Sequence, residues 1–167
     1  MKRGGLVLLS IFLLVLGLVL FTHHSAEGDS EYVGSEACKD CHEDYYNRFI
    51  KSVHGKKAIP GAPVNRDGCE SCHGPGAQHV EKGGGKGVAI FSFGRKEGAP
   101  ERSAKCLACH EEMRSVANWN MSRHKTADVS CDICHPFHMA GVEKNLLKAK
   151  EPDLCFGCHQ NIRAQTN

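Results

Sequence analysis

The sequence has few of the residues that build a conventional protein core. Aromatic side chains make up 7% of the 167 residues, with a single tryptophan, and much of the aliphatic content lies in one N-terminal run. Strand patterns are almost missing, with 88–91 as the only weak candidate, which argues against a β fold. A chain this poor in apolar mass needs bound groups to complete its core, and we expect the chain without them to be largely unfolded.

The N-terminal segment is typical of an export signal. Two basic residues precede an apolar run over residues 6–21, which predicts a signal peptide spanning residues 1–26. His24 lies where a small residue is preferred before cleavage, so an uncleaved membrane anchor through 6–21 is the alternative. Either reading exports residues 27–167 as one domain, and we expect a periplasmic location, with attachment to the membrane if the segment is kept.

The exported part lacks net charge. The chain has 21 basic and 19 acidic residues, and the signal segment removes two basic and no acidic ones, which leaves 19 of each. Nucleic-acid binding proteins carry a clear basic excess. We therefore expect no nucleic-acid partner.

No cysteine stands outside a Cys-x-x-Cys pair, and a histidine follows every pair at once. We number these motifs one to five along the chain. Their cysteines are Cys38 and Cys41, Cys69 and Cys72, Cys106 and Cys109, Cys131 and Cys134, and Cys155 and Cys158. Composition alone would place histidine after all five pairs with odds on the order of one in a million.

This spacing is that of covalent c-type haem attachment. Both thiols add to the vinyl groups of one haem, and the next residue binds the iron from below. A zinc ribbon needs no histidine after each knuckle, a thioredoxin-like pair does not occur five times, and disulfides need no common spacing. The sequence predicts five c-type haems, with these proximal iron ligands: His42, His73, His110, His135 and His159.

The fold class predicted is mostly coil with short α-helices, negligible β structure and a haem-packed core. Capping patterns predict helices from Ser35 through Cys38 to about Val53, from Pro100 to Met113, and around Cys155. A globule of this size has a radius of gyration near ~14 Å. Five haems in so small a body must be neighbours, an arrangement that conducts electrons.

Four histidines outside the motifs and the signal segment are candidates for the sixth iron ligand: His54, His79, His124 and His138. His54 and His124 both follow a serine by two residues, 12 and 14 residues after the preceding motif histidine, which favours a shared role. His79 follows a tight turn, and His138 lies three residues after its motif histidine.

Four candidates do not serve five irons. The remaining sixth position is open to several readings: a methionine sulfur from Met113, Met121 or Met139, a water-filled or open site, or a ligand from another chain. The same methionines are also ordinary packing residues.

Three segments resemble a known family: Val33-Gly34-Ser35-x-x-Cys38, Ser52–Gly55, and Cys72–Gly76 followed by His79. Over residues 32–164 the chain is similar to the periplasmic decahaem cytochromes of outer-membrane porin–cytochrome conduits. It is equally similar to the pentahaem electron-donor subunit of formate-dependent nitrite reduction. The resemblance implies bis-histidine haems and an electron relay in anaerobic respiration.

The partners implied by the resemblance are quinol-linked donors and a terminal reductase or outer-membrane conduit. The chain ends eight residues after His159, where the family continues into further histidines, so we expect the last haem to depart from bis-histidine ligation.

The function predicted is electron transfer without catalysis. One alternative is a reductase of a small oxyanion at a five-coordinate iron, although no catalytic constellation is evident in the sequence. Another is the subunit of an extracellular cytochrome filament, in which one copy supplies a ligand to the next.

Overall fold

The computed structural model describes residues 31–94, 96–138 and 144–166. These residues form helices, turns and coil without any strand, which confirms the predicted helix-and-coil class. The weak strand candidate at 88–91 is a series of bends. The predicted export segment lies outside the described ranges, and none of the helices within them has the length and apolar character needed to cross a membrane.

The helices of the described ranges are mostly short. They are α1 Ser35–Lys51, α2 Glu70–His73, α3 Ala77–Glu81, α4 Ala99–His110, α5 Arg114–Asn120, α6 Arg123–Thr126, α7 Cys131–Cys134, α8 Asp153–Phe156 and α9 Gln160–Thr166, with 3₁₀ turns at Val53–Gly55, Pro63–Asn65 and Lys144–Leu146. The three predicted helices correspond to α1, α4 and α8. The second prediction ran too far, because α4 ends at His110 rather than at Met113.

The motif histidines mark breaks in the helices. The backbone of α1 is kinked at His42 (φ −124°, ψ 45°), and α2 and α4 end at the histidines of motifs two and three. His135 follows α7 with a non-helical backbone (φ −114°, ψ 70°). In each case the cysteine pair lies on or next to a helical turn and the histidine leaves it, so the imidazole can turn away from the helix axis.

The start of α1 differs from the sequence prediction by one residue. Gly34 occupies the cap position with φ 81°, a left-handed conformation that favours glycine, and Ser35 is the first helical residue. The Ser35 hydroxyl accepts a hydrogen bond from the backbone N–H of Cys69 at 3.0 Å. The serine therefore joins motif two to α1 instead of capping its own helix.

The apolar core of the described residues is very small. Its buried hydrophobic members are Phe49 and Ala62, at 3% and 5% exposure. The buried polar residues include Glu70, whose carboxylate accepts hydrogen bonds from the backbone N–H groups of Val33, Gly34 and Gly76 at 2.7–3.0 Å. Polar contacts around the motifs therefore organise much of the packing.

Candidate haem centres

Four motif histidines face a histidine from another part of the chain. The ring centroids are 6.3 Å apart for His42 and His79, 5.9 Å for His73 and His138, 6.0 Å for His54 and His110, and 6.0 Å for His124 and His159. Each pair joins one motif histidine to one of the four candidates for a sixth ligand. The partners are distant in sequence, so the chain fold brings them together.

These separations fit a metal ion between the rings. With metal–nitrogen bonds of about 2.0–2.1 Å and a nitrogen about 1.15 Å from its ring centroid, two imidazoles on opposite sides of a metal have centroids about 6.4 Å apart. A direct hydrogen bond between the rings would bring the centroids to about 5.2 Å. The angles between ring planes range from 16° to 82°, and rotation about the metal–nitrogen bonds permits all of them.

Backbone carbonyls orient several of these rings. The Nδ1–H of His73 donates to the carbonyl of Phe91 at 2.8 Å, and that of His79 donates to the carbonyl of Val88 at 2.8 Å. His135 makes the same kind of bond to Asn145 at 2.9 Å. Histidines that bind metals commonly donate their other ring nitrogen in this way, which fixes the tautomer and leaves Nε2 for the metal.

Two of the candidate sixth ligands, His54 and His138, have a buried Nδ1 that makes no hydrogen bond within the described part of the chain. Burial lowers the pKa of His54, and burial together with the nearby His73 and Arg48 lowers the pKa of His138 to about 4. A lowered pKa favours the neutral imidazole, which is the form that binds iron.

The cysteines of successive motifs lie side by side. None of the ten forms a disulfide, and Cys38 of motif one hydrogen-bonds to Cys69 of motif two, which raises the pKa of Cys38 and lowers that of Cys69. Cys106 and Cys131 repeat this contact between motifs three and four, with the same directions of shift.

Weaker electrostatic contacts join the remaining neighbours. Burial raises the pKa of Cys72, and the thiol of Cys109 adds to the rise. Burial likewise raises the pKa of Cys134, with a contribution from Cys158 and Cys155. Every motif is therefore close to the next one along the chain.

A structural repeat underlies the thiol contacts. We define repeat A as residues 34–73, with motifs one and two, and repeat B as residues 102–135, with motifs three and four. Each has a serine three residues before its first cysteine, Ser35 or Ser103, that lies beside the first cysteine of the second motif. Ser103 is 2% exposed, and its hydroxyl makes no hydrogen bond of good geometry.

The Ser-x-His segments of the two repeats also share their hydrogen bonds. The backbone N–H and the hydroxyl of Ser52 both donate to the carbonyl of Phe49, at 3.0 and 2.7 Å. Ser122 makes the same two bonds to Trp119, at 3.0 and 2.7 Å. An aromatic residue and a serine three residues later therefore make the same turn in both places, and a histidine follows the serine by two residues.

Several residues of these sites were missed by the sequence analysis. They include Glu70, the carbonyls of Val88 and Phe91, and Gly55, where an added Cβ would lie 2.1 Å from the carbonyl oxygen of Phe49. The acidic residue inside motif two is a visible sequence signal. The backbone carbonyls leave no such signal, because any residue type can supply them.

The histidine without a ring partner among the described residues belongs to motif four. His135 has its carbonyl partner but no second imidazole at the distance found for the other four. His159 of the last motif does face a histidine, His124, contrary to the expectation drawn from the chain end.

The methionines considered as ligands of the remaining iron have different surroundings. The sulfur of Met113 is 2.7 Å from Nδ1 of His110, and Met121 is 81% exposed. Met139 falls outside the described residues, as do His23 and His24.

Comparison with known proteins agrees with this chemistry. The family described as "Cytochrome c554 and c-prime" matches residues 86–136, and that described as "Doubled CXXCH motif" matches residues 124–164. The chain is 34% identical over 144 residues to the multiheme cytochrome MtrA of Shewanella baltica (strain OS185), covering 85% of this chain and 42% of MtrA.

Two C-type polyheme cytochromes of Geobacter sulfurreducens are also similar. OmcB of strain DL-1 / KN400 is 30% identical over 129 residues, covering 68% of this chain and 15% of OmcB. OmcC of strain ATCC 51573 / DSM 12127 / PCA is 32% identical over 142 residues, covering 77% of this chain and 15% of OmcC. The chain thus spans less than half the length of each relative.

Proposed function

We propose that this chain, a multihaem c-type cytochrome, relays electrons along five haems that follow one another in motif order. A c-type haem supplies an iron that accepts and releases one electron. The main support is the set of four histidine pairs with centroids 5.9–6.3 Å apart. The thiol contacts between successive motifs support the order.

These pairs are the residues that would hold four of the irons. Motif one uses His42 with His79, and motif two uses His73 with His138. Motif three uses His110 with His54, and motif five uses His159 with His124. A metal with a strong ligand on each face has no free position for a substrate, so the pairs favour a carrier over an enzyme.

The partners proposed are other redox proteins of an electron-transfer pathway outside the cytoplasm. Similarity to MtrA, OmcB and OmcC supports a place beside a conduit or terminal reductase, with a quinol-linked donor on the other side. The N-terminal run supports a periplasmic location, with residues 1–26 as the export signal. Anaerobic respiration is the setting in which such a relay has an acceptor.

The sixth ligand at motif four distinguishes the proposed carrier from the alternative functions. We propose that the sixth ligand opposite His135 comes from Met139, from a retained histidine of the N-terminal segment, or from a second chain. If that position is open instead, oxyanion reduction becomes the better reading, and a ligand donated by a second copy points to a filament.

The first test is low-temperature electron paramagnetic resonance of the oxidised full-length holoprotein. Low-spin signals for at least four of five haems are expected, and two or more high-spin haems would contradict the pairing. A single high-spin haem would identify an open site at motif four.

The relay itself is tested by pulse reduction with less than one electron per molecule. The electron should spread over the haems faster than molecules collide. A haem that gains electrons only at a rate set by protein concentration would contradict an intramolecular relay.

A further inference from the structure

The unequal hydrogen bonding of the histidine pairs has an electronic consequence. We infer that the iron held by His54 and His110 has the highest reduction potential of the chain and holds the first electron. This inference rests on the proposed electron relay and adds a direction to it, because it names the position at which a single electron comes to rest.

The histidine pairs differ in the hydrogen-bond acceptors at Nδ1. An imidazole that donates its Nδ1–H to a carbonyl becomes a stronger electron donor to the metal, which stabilises ferric iron and lowers the potential. The sites of motifs one, two and four each have such a bond, to the carbonyls of Val88, Phe91 and Asn145 respectively.

Among the residues that the structure describes, no carbonyl lies at either Nδ1 of the His54–His110 site. The ring of His110 faces the sulfur of Met113 at 2.7 Å, and a thioether sulfur is a weak acceptor. Nδ1 of His54 is buried without a partner. Both imidazoles are therefore weaker donors than those of the carbonyl-bonded sites, and ferric iron is stabilised less.

The histidine pairs also differ in the polarity of their surroundings. The ring of Phe137 packs edge-on against His54 with centroids 4.8 Å apart, and the buried Phe49 packs against Phe137 at 6.2 Å. An apolar environment disfavours the extra positive charge of ferric haem and raises the potential. The pair His124–His159, by contrast, lies on exposed residues, where water stabilises the ferric charge.

The site of motif two shares the apolar surroundings but has a carbonyl acceptor. His138 also packs against Phe137, at 5.0 Å, and also has a buried Nδ1 without a partner. Its opposite ligand His73 has the Phe91 carbonyl, however. The His54–His110 site is thus the one in which both rings lack a carbonyl and one packs on the aromatic pair.

The site with the highest proposed potential is the third of five in motif order. An electron that enters at either end moves toward the middle of the chain, and a second electron is needed before the first leaves readily. The relay then carries a resting electron between encounters with its partners.

The test replaces Met113 by glutamine, whose side-chain carbonyl is a strong acceptor of similar reach. Potentiometric titration of the full-length holoprotein should show the highest midpoint fall in Met113→Gln while the other four stay in place. The control is Met121→Gln, at a methionine that is 81% exposed, and it should leave all five midpoints unchanged. A shift confined to a lower midpoint, or no shift at all, would overturn the inference.

A second measurement is made on the wild-type holoprotein. Methionines carrying a ¹³C-labelled methyl group are followed by NMR as the wild-type holoprotein is reduced stepwise, with the Met113 signal assigned by its loss in Met113→Leu. The paramagnetic shift of the Met113 methyl should collapse with the first electron equivalent. Collapse after a different methyl, or only in the last equivalents, would refute the assignment.

Failure of this inference and failure of the relay are distinguishable. The pulse-reduction experiment reports whether electrons move within one molecule, whichever iron has the highest potential. A rapid intramolecular relay with an unshifted highest midpoint in Met113→Gln would reject only the inference.

Discussion

Repeat A and repeat B each hold two motifs together through the same local contacts. The chain that follows the second motif, however, makes different contacts in the two repeats. Both have a serine before the first cysteine and a thiol contact between the two motifs. After His73 the chain makes a Gly-Pro-Gly turn, and the Val88 and Phe91 carbonyls hold two histidine rings. After His135 the chain runs within three residues to His138, which faces repeat A.

The acidic residue after the first cysteine of the second motif shows the same divergence. In repeat A it is Glu70, 2% exposed and bonded to three backbone N–H groups. In repeat B it is Asp132, which pairs with Arg102 at 2.7 Å and accepts from the hydroxyl of Ser130. The local contacts between the motifs are the same in both repeats, whereas the residues that contact the acidic side chain differ.

The largest expected effect comes from removing one imidazole from each Ser-x-His segment. In His54→Ala and His124→Ala, one iron should change from low spin to high spin without loss of covalent haem, because the thioether bonds remain. Electron paramagnetic resonance and intact-protein mass spectrometry measure the two quantities. Added imidazole should restore low spin quickly in His124→Ala, where the site is exposed, and slowly in His54→Ala, where it is buried.

An unchanged low-spin spectrum in either variant would show that the histidine is not an iron ligand. The matched control is Lys125→Ala, which alters the residue next to His124 and should leave the spin state unchanged.

A smaller effect is expected from the acidic residues of the two repeats. Glu70→Ala leaves three backbone N–H groups without their acceptor and should lower the free energy of unfolding by about 2–4 kcal/mol. Asp132→Ala should cost about 1–2 kcal/mol, because Arg102 and Asp132 retain 13% and 21% exposure and water replaces part of the lost contact. Guanidinium unfolding of the holoproteins measures both, and equal losses would contradict the distinction.

The glycine after the first Ser-x-His segment sharpens the comparison further. A Cβ at Gly55 would lie 2.1 Å from the backbone oxygen of Phe49, so Gly55→Ala should cost about 1–3 kcal/mol through forced backbone shifts. The equivalent residue of repeat B is the exposed Lys125, whose amine reaches Asn120 at 2.8 Å. Lys125→Ala should change stability by less than about 0.5 kcal/mol, and a larger loss than in Gly55→Ala would refute this reading.

The smallest difference is expected at the serines. Ser35→Ala removes the acceptor of the Cys69 N–H and should cost about 0.5–1.5 kcal/mol. The buried Ser103 hydroxyl has no good hydrogen bond, so Ser103→Ala should be neutral or slightly stabilising. Thermal unfolding of the two holoproteins compares them, and a clear loss in Ser103→Ala would mean that its contact with Cys131 is a true hydrogen bond.

The local structure could be predicted from the sequence because it depends on short spacings. The motifs, the helices around Cys38, Cys106 and Cys155, and the shared turn of the Ser-x-His segments all follow from residues within one or two turns of each other. The strand-poor fold followed from the scarcity of β-branched and aromatic patterns.

The pairing of the histidines could not be predicted, since it depends on contacts across more than thirty residues. His54 faces a ring of repeat B, and His138 faces a ring of repeat A. Backbone carbonyl acceptors were equally invisible, because residue type does not determine them. The cap position also moved from Ser35 to Gly34, because a contact with Cys69 took the serine hydroxyl.

The crossed histidine pairs have a topological consequence for unfolding. In the proposed ligation, an iron between His54 and His110 would close a loop over residues 54–110, and one between His73 and His138 would close a second loop over residues 73–138. The two loops would interleave, so tension applied at the chain ends would load both links at once. Loop closure lowers the conformational entropy of the unfolded chain. We expect the molecule to resist mechanical extension as one unit rather than repeat by repeat.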